Sequence, residues 1–67
     1  MYKINRWVSW KEKNDKIVLY NDFNYYFFEK EPMQWLNSLI KGERNQNEIP
    51  NDFIEYLRKI NILSYER

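Results

Sequence analysis

The chain has no cysteine and no histidine among its 67 residues. These absences exclude disulfide bonds, zinc sites built on Cys or His, and the acyl-transfer triads that depend on those side chains. A single glycine, Gly42, also excludes the Gly-rich loops that cradle phosphate groups. We therefore predict a protein that is not an enzyme, with no catalytic residues, no bound metal and no cofactor.

Long apolar runs are also missing, so we expect neither a signal peptide nor a membrane span. Eleven basic and ten acidic residues are interspersed and leave a net charge of +1. This balance disfavours nucleic acid as a partner, because nucleic-acid binders concentrate positive charge. We expect one domain over residues 1–67 that is cytoplasmic and has no membrane partner.

Aromatic residues are abundant, at 19% of the chain. A domain of this length buries only about 60% of the surface that its unfolded chain exposes. Because no disulfide or metal is available to stabilise it, we expect the aromatic side chains to form its core. The carboxylates lie in charged stretches such as 11–13 and 29–31, which favours a solvated surface over an acid–base pair.

The first half of the sequence predicts three strands. Residues 2–11 alternate between apolar and polar side chains, an alternation broken at Arg6. Polar turn residues then separate two further strands, at 16–21 and 24–29. Short turns between the three segments predict antiparallel hairpins.

The third predicted strand is aromatic on both faces. Either Tyr25 and Phe27 or Tyr26 and Phe28 face the core, and the other pair then needs cover. An excess of aromatic side chains at such a position is typical of a binding surface, because rings give a large contact area at low entropic cost.

The second half predicts three helices. The first spans 32–41 and ends at Gly42, the second spans only 45–49 because Pro50 curtails it, and the third spans 52–60. The tail at 62–65 adds a short extended piece. The expected fold is α+β, with a three-stranded antiparallel sheet followed by three helices, of which the second is very short.

Three stretches together resemble a known family. They are Ile17-Val18-Leu19-Tyr20 in a strand, Lys41-Gly42-Glu43-Arg44 at a helix end, and the Asn45-Gln46-Asn47-Glu48-Ile49 segment that follows. In this order they resemble PqqD-like domains, also called RiPP recognition elements. The resemblance implies a winged helix-turn-helix-like fold.

The resemblance also implies a function. Such domains bind the leader region of a ribosomally synthesised precursor peptide and present it to a separate peptide-modifying enzyme. The leader adds as a strand to the third strand and lies beside the third helix. The implied peptide-binding residues are Tyr25, Tyr26, Phe27, Phe28, Phe53, Tyr56, Leu57, Ile60, Arg58 and Lys59.

Some of these residues have a second interpretation. Phe53 and Leu57 fit a core position as well as the floor of a groove, and Arg58 and Lys59 suit a helix C-terminus even without a partner. Their functional interpretation is contact with acidic leader residues, for which Lys30 and Arg44 are further candidates.

Two other functions are compatible with the sequence. One is a small winged-helix nucleic-acid-binding regulator, which the acidic start of the third helix disfavours. The other is a structural subunit of an enzyme complex that docks through Trp7 or a face of the sheet.

Overall fold

The computed structural model describes residues 2–42 and 48–65, which contain five strands and two helices. The elements are β1 (Tyr2–Ile4), β2 (Ser9–Lys13), β3 (Lys16–Asn21), β4 (Asn24–Glu29), α1 (Lys30–Lys41), α2 (Asn51–Lys59) and β5 (Leu63–Tyr65). The strands form two antiparallel sheets, one in the order β2-β3-β4 and one that pairs β1 with β5.

The fold is α+β, but the predicted three-stranded sheet followed by three helices is wrong. The predicted strand at 2–11 is two strands in different sheets. The chain turns between them because the Asn5 N–H donates to the Ile62 carbonyl at 2.8 Å and the Val8 N–H donates to the Asn5 carbonyl at 3.1 Å. These bonds turn the chain between the two strands, so that β1 pairs with β5 and β2 pairs with β3.

The described residues contain two helices and not a winged helix-turn-helix. Residues 45–47 of the predicted helix at 45–49 lie outside the described residues, and Glu48 and Ile49 belong to neither α1 nor α2. Helix α1 starts at Lys30, directly after β4, and ends at Gly42. The φ of Gly42 is 68°, and its N–H bonds back to the last turn, as in a glycine C-cap.

The predicted extended piece at 62–65 contains strand β5. It pairs with β1 in the register Tyr2↔Tyr65 and Ile4↔Leu63. The rings of Tyr2 and Tyr65 meet edge to face at 5.1 Å between centroids. This pairing joins residues that lie some sixty positions apart in the sequence, so it is a tertiary contact that local patterns do not encode.

The hydrophobic core is aliphatic, so the prediction of an aromatic core is wrong. Of the thirteen aromatic residues, three Trp, six Tyr and four Phe, eight are exposed and only Phe28 is buried. The inward positions of β3 and the helices carry Leu and Ile, which fill the narrow space between sheet and helices. The buried residues are Val8, Ile17, Leu19, Phe28, Leu36, Leu39, Ile49, Ile54, Leu57, Ile62 and Leu63.

The C-terminus of α2 forms a Schellman motif. The Ile62 N–H donates to the Leu57 carbonyl at 2.9 Å, the Asn61 N–H donates to the Arg58 carbonyl at 3.1 Å, and Asn61 has a φ of 64°. Buried Asn21 on β3 donates from Nδ2 to the carbonyls of Ile60 and Asn61, at 3.1 and 3.3 Å. These bonds fix the end of α2 to the sheet.

The turn between β3 and β4 contains a strained residue. Its two loop residues, Asp22 and Phe23, have φ values of 52° and 66°, as in a type I′ turn. Such turns favour Asn-Gly or Asp-Gly, because a side chain with a Cβ is disfavoured at positive φ. Phe23 occupies this position although its side chain is 89% exposed.

We expect Phe23→Gly to stabilise the fold by about 1 kcal/mol, because glycine removes the left-handed strain while little packing is lost. Urea unfolding followed by circular dichroism measures the change. Phe23→Ala is the matched control, since it removes the ring but keeps the Cβ, and it should give no comparable gain. If the Gly and Ala variants are equally stable, the positive φ at residue 23 does not strain the fold.

Candidate functional site

The three-stranded sheet has two edges, and they differ in chemistry. Strands β2 and β4 each pair with β3 on one side, and no other strand in the described residues pairs with them. Strand β2 carries Lys11, Glu12 and Lys13, which are the charged residues that commonly protect an edge from pairing. Strand β4 has no charged side chain from Asn24 to Phe28. The backbone N–H and C=O groups on the free side of β4 are therefore the ones open to pairing with another chain.

Helix α2 runs along the inner face of the sheet, antiparallel to β4. Near the start of α2, the ring of Phe53 meets that of Phe28 near the end of β4, with centroids 5.8 Å apart. At the other end of α2, the Ile60 carbonyl accepts from Asn21, which pairs with Asn24 at the start of β4. The two contacts place α2 beside β4, and the surface between the helix and the free edge is here called the edge groove.

Four of the predicted site residues, Tyr26, Phe28, Phe53 and Ile60, belong to the core or pack against it on this side of the sheet. A fifth, Tyr56, is exposed and lines the depression on the outward face of α2. On α2, Tyr56 and Ile60 follow Phe53 at helical spacing, so all three lie along one side of the helix. Tyr56 remains 45% exposed, whereas Phe28 is buried and forms part of the floor.

Tyr25 and Phe27 lie on the opposite face of the sheet. Alternation along β4 turns them outward, and they are 66% and 68% exposed. They lie beside the free edge without facing α2. If a strand were added to β4, its outward side chains would lie next to Tyr25 and Phe27.

The three remaining predicted residues are placed differently. Leu57 has no exposed surface and belongs to the core. Arg58 lies on the other side of α2, over the ring of Tyr2 at 5.9 Å and 3.6 Å from the Glu55 carboxylate. Lys59 is exposed on α2.

Charge on the outward face of α2 is balanced. Asp52, Glu55, Arg58 and Lys59 line a shallow depression of about 630 Å³ together with Tyr56. Two acidic and two basic side chains give this surface no preference for an acidic peptide. Of the weaker candidates, Lys30 lies at the start of α1, and Arg44 lies outside the described residues.

Trp35 of α1 packs beside Phe53, although no functional role was predicted for it from the sequence. Its ring lies 5.2 Å from that of Phe53, and both are partly buried. Phe53 thus lies between Phe28 and Trp35. The sequence did contain a signal for this contact. Position 35 carries an aromatic residue, whereas Leu and Ile occupy other apolar positions of α1.

Residues 2–42 and 48–65 contain no group of three or more acidic side chains placed to hold a metal ion. Neither of the two helices in this part of the chain has the length and apolar character needed to cross a membrane. Comparisons with protein-family models, curated proteins and solved structures gave no significant match.

Proposed function

We propose that this chain is a non-catalytic domain that binds an extended peptide by strand addition to β4. The observation that carries the proposal is the free edge of β4 beside α2, which is uncharged from Asn24 to Phe28 and aromatic from Tyr25. An edge strand offers unpaired N–H and C=O groups to a peptide of any sequence, while neighbouring pockets supply selectivity.

Strand addition accounts for aromatic residues on both faces of β4. Side chains alternate along an added strand, so one set lies over the edge groove beside Tyr26 and Phe53. The other set lies on the outward side, beside Tyr25 and Phe27. Six residues of β4 are available for pairing, which matches a peptide segment of about 20 Å at ~3.4 Å per residue.

The proposed ligand is the leader region of a ribosomally synthesised precursor peptide, which the domain presents to a separate modifying enzyme in the cytoplasm. The resemblance to PqqD-like elements supports this choice. Gly42 ends α1 in a left-handed conformation, at the position where those elements have a glycine that ends a helix. The acidic side chains of Asp52 and Glu55 near the start of α2 disfavour the alternative of a duplex DNA reader.

We expect Tyr56→Ala to weaken leader binding at least tenfold, or ~1.4 kcal/mol, because the exposed ring of Tyr56 is an aromatic anchor. Its exposure makes the variant a mild change for the fold. Fluorescence anisotropy with labelled leader peptides encoded beside this chain's gene measures the affinity. Lys41→Ala, in the last turn of α1, is the control and should bind as wild type does.

Strand addition is tested with the same peptides carrying N-methyl groups on one or the other alternate set of backbone amides. The side chains are unchanged, but only one set of N–H groups faces β4, so one of the two methylated peptides should lose affinity at least tenfold while the other binds like the unmethylated peptide. Amide shifts on adding the unmethylated peptide should centre on Asn24–Phe28. Equal affinity of the two methylated peptides, or shifts that avoid β4, rejects strand addition.

A further inference from the structure

The outward face of the three-stranded sheet is a second surface, distinct from the edge groove. Strand pairing places its residues in three cross-strand rows. The rows are Ser9–Tyr20–Tyr25, Lys11–Val18–Phe27 and Lys13–Lys16–Glu29. No helix of the described residues covers these side chains, since Tyr20, Tyr25 and Phe27 are all exposed.

Rings and positive charges are segregated on this face. Strands β3 and β4 contribute Tyr20, Tyr25 and Phe27, and the rings of the two tyrosines lie 4.8 Å apart at an angle of 53°. Strand β2 contributes Lys11 and Lys13, which lie two residues apart on the same side. A depression of about 370 Å³ between the two groups is lined by Ser9, Trp10, Lys11, Lys13, Val18, Tyr20 and Tyr25.

The lysines of this face have no acidic partner within ion-pair distance among the described residues. Lys11, Lys13 and Lys16 against Glu29 give the face a net charge of +2, higher than the +1 of the whole chain. This face therefore attracts negatively charged ligands, and its exposed rings lie beside lysines that have no acidic partner.

We propose that this face binds single-stranded nucleic acid. Exposed rings on a sheet provide stacking platforms for unpaired bases, and adjacent lysines neutralise the phosphates, a combination that tolerates any base sequence. Duplex DNA is excluded as the ligand, because its bases are already stacked and paired.

A second copy of the chain fits this face poorly. In a two-fold dimer the same patch meets itself, so two faces that each carry a net charge of +2 would repel one another. An acidic protein or an anionic membrane would also satisfy the charge, but neither has a planar base next to every negative charge, as a single strand of nucleic acid does.

The test is fluorescence anisotropy with a labelled ten-nucleotide oligouridylate at 50 and 200 mM salt. If three lysines contact phosphates, log affinity falls with log salt at a slope of about −2, so this fourfold rise in salt weakens binding about twentyfold. Replacing Lys11 and Lys13 together by Gln should reduce the slope to about −0.7. Lys41→Gln, on α1, should leave the slope unchanged.

Stacking is tested separately at Tyr25. Tyr25→Leu keeps an apolar side chain but has no flat ring, so it should weaken oligouridylate binding at least fivefold without changing the salt slope, whereas Tyr25→Phe should bind as wild type. Circular dichroism verifies the fold of each variant. Tyr25 also lies beside the proposed peptide strand, so the two proposals are separated at other residues. Tyr56→Ala should bind the oligonucleotide normally, and the Lys11 and Lys13 changes should leave peptide binding unchanged.

Several results overturn the proposal. They are no binding of oligouridylate at 50 mM salt, binding insensitive to both the lysine and Tyr25 changes, and equal affinity for a ten-base-pair duplex. Binding of polyglutamate or of phosphatidylserine vesicles without binding of oligouridylate also overturns it, and assigns the face to an acidic protein or a membrane surface.

Discussion

Leu57→Ala is expected to destabilise the fold by about 3 kcal/mol, within the range of about 2–5 kcal/mol for buried Leu→Ala changes. Leu57 lies in the last turn of α2 with no exposed surface, inside the aliphatic cluster. Alanine is the best helix former, so the loss reflects packing and not helix propensity. Because a domain of this length has a total stability of roughly 3–10 kcal/mol, the variant should lose a large share of it.

Phe27→Thr is the contrasting variant for the same urea titration. It removes a larger side chain, but that side chain is 68% exposed, and threonine retains the preference for a strand. The expected loss is under about 1 kcal/mol, since little area leaves or enters water. A greater loss at Phe27 than at Leu57 would mean that the aromatic residues of β4 and not the aliphatic cluster hold the domain together.

The local elements of the fold could be predicted from the sequence. Strands β3 and β4 lie where the polar turn residues place them, and α1 ends at Gly42 because glycine takes the left-handed conformation without a steric penalty. Each of these features depends on residues that are close together in the chain. Apolar periodicity likewise located α2, because its buried stripe repeats at helical spacing.

The division of the first predicted strand could not be recognised from alternation alone. Ile4 and Val8 have the same parity, so the pattern continues across the turn between β1 and β2. Arg6, at an inward position of the predicted strand, was the one local sign of an interruption. The pairing of β1 with β5 depends on long-range bonds such as Asn5 to Ile62, which no short window contains.

The candidate site was predictable in composition but not in orientation. A period of two separates Tyr25 and Phe27 from Tyr26 and Phe28, but both pairs are aromatic, so the pattern does not show which pair is buried. Packing of Phe28 against Phe53 decides it. The position of Arg58 was missed for a similar reason, since the direction it faces depends on where β1 and Tyr2 lie.

Asn21→Ala is expected to destabilise the fold by about 2 kcal/mol, because removing a buried donor leaves its acceptor unsatisfied. The Nδ2 of Asn21 donates to two carbonyls at the end of α2, and the residue is buried. For a domain of this length, this change lowers the melting temperature by about 8–16 °C. Thermal unfolding followed by circular dichroism measures it.

Asn24→Ala is the matched control, because Asn24 pairs with Asn21 in register but is exposed. Its Nδ2 donates only to the Asp22 carbonyl within the turn, at 3.0 Å, so its loss should cost no more than about 0.5 kcal/mol. Equal melting temperatures for the two variants contradict the role of Asn21 in fixing α2.

A double variant shows whether Asn5 and Asn21 act together. Both side chains donate to the Asn61 carbonyl, at 3.0 and 3.3 Å, so each single change leaves that carbonyl with one donor. Changing both to Ala leaves it with none, and the combined loss should exceed the sum of the single losses by about 1 kcal/mol. Simple additivity would mean that the two asparagines stabilise the fold independently, Asn5 through Ser64 and β5, and Asn21 through the Ile60 carbonyl.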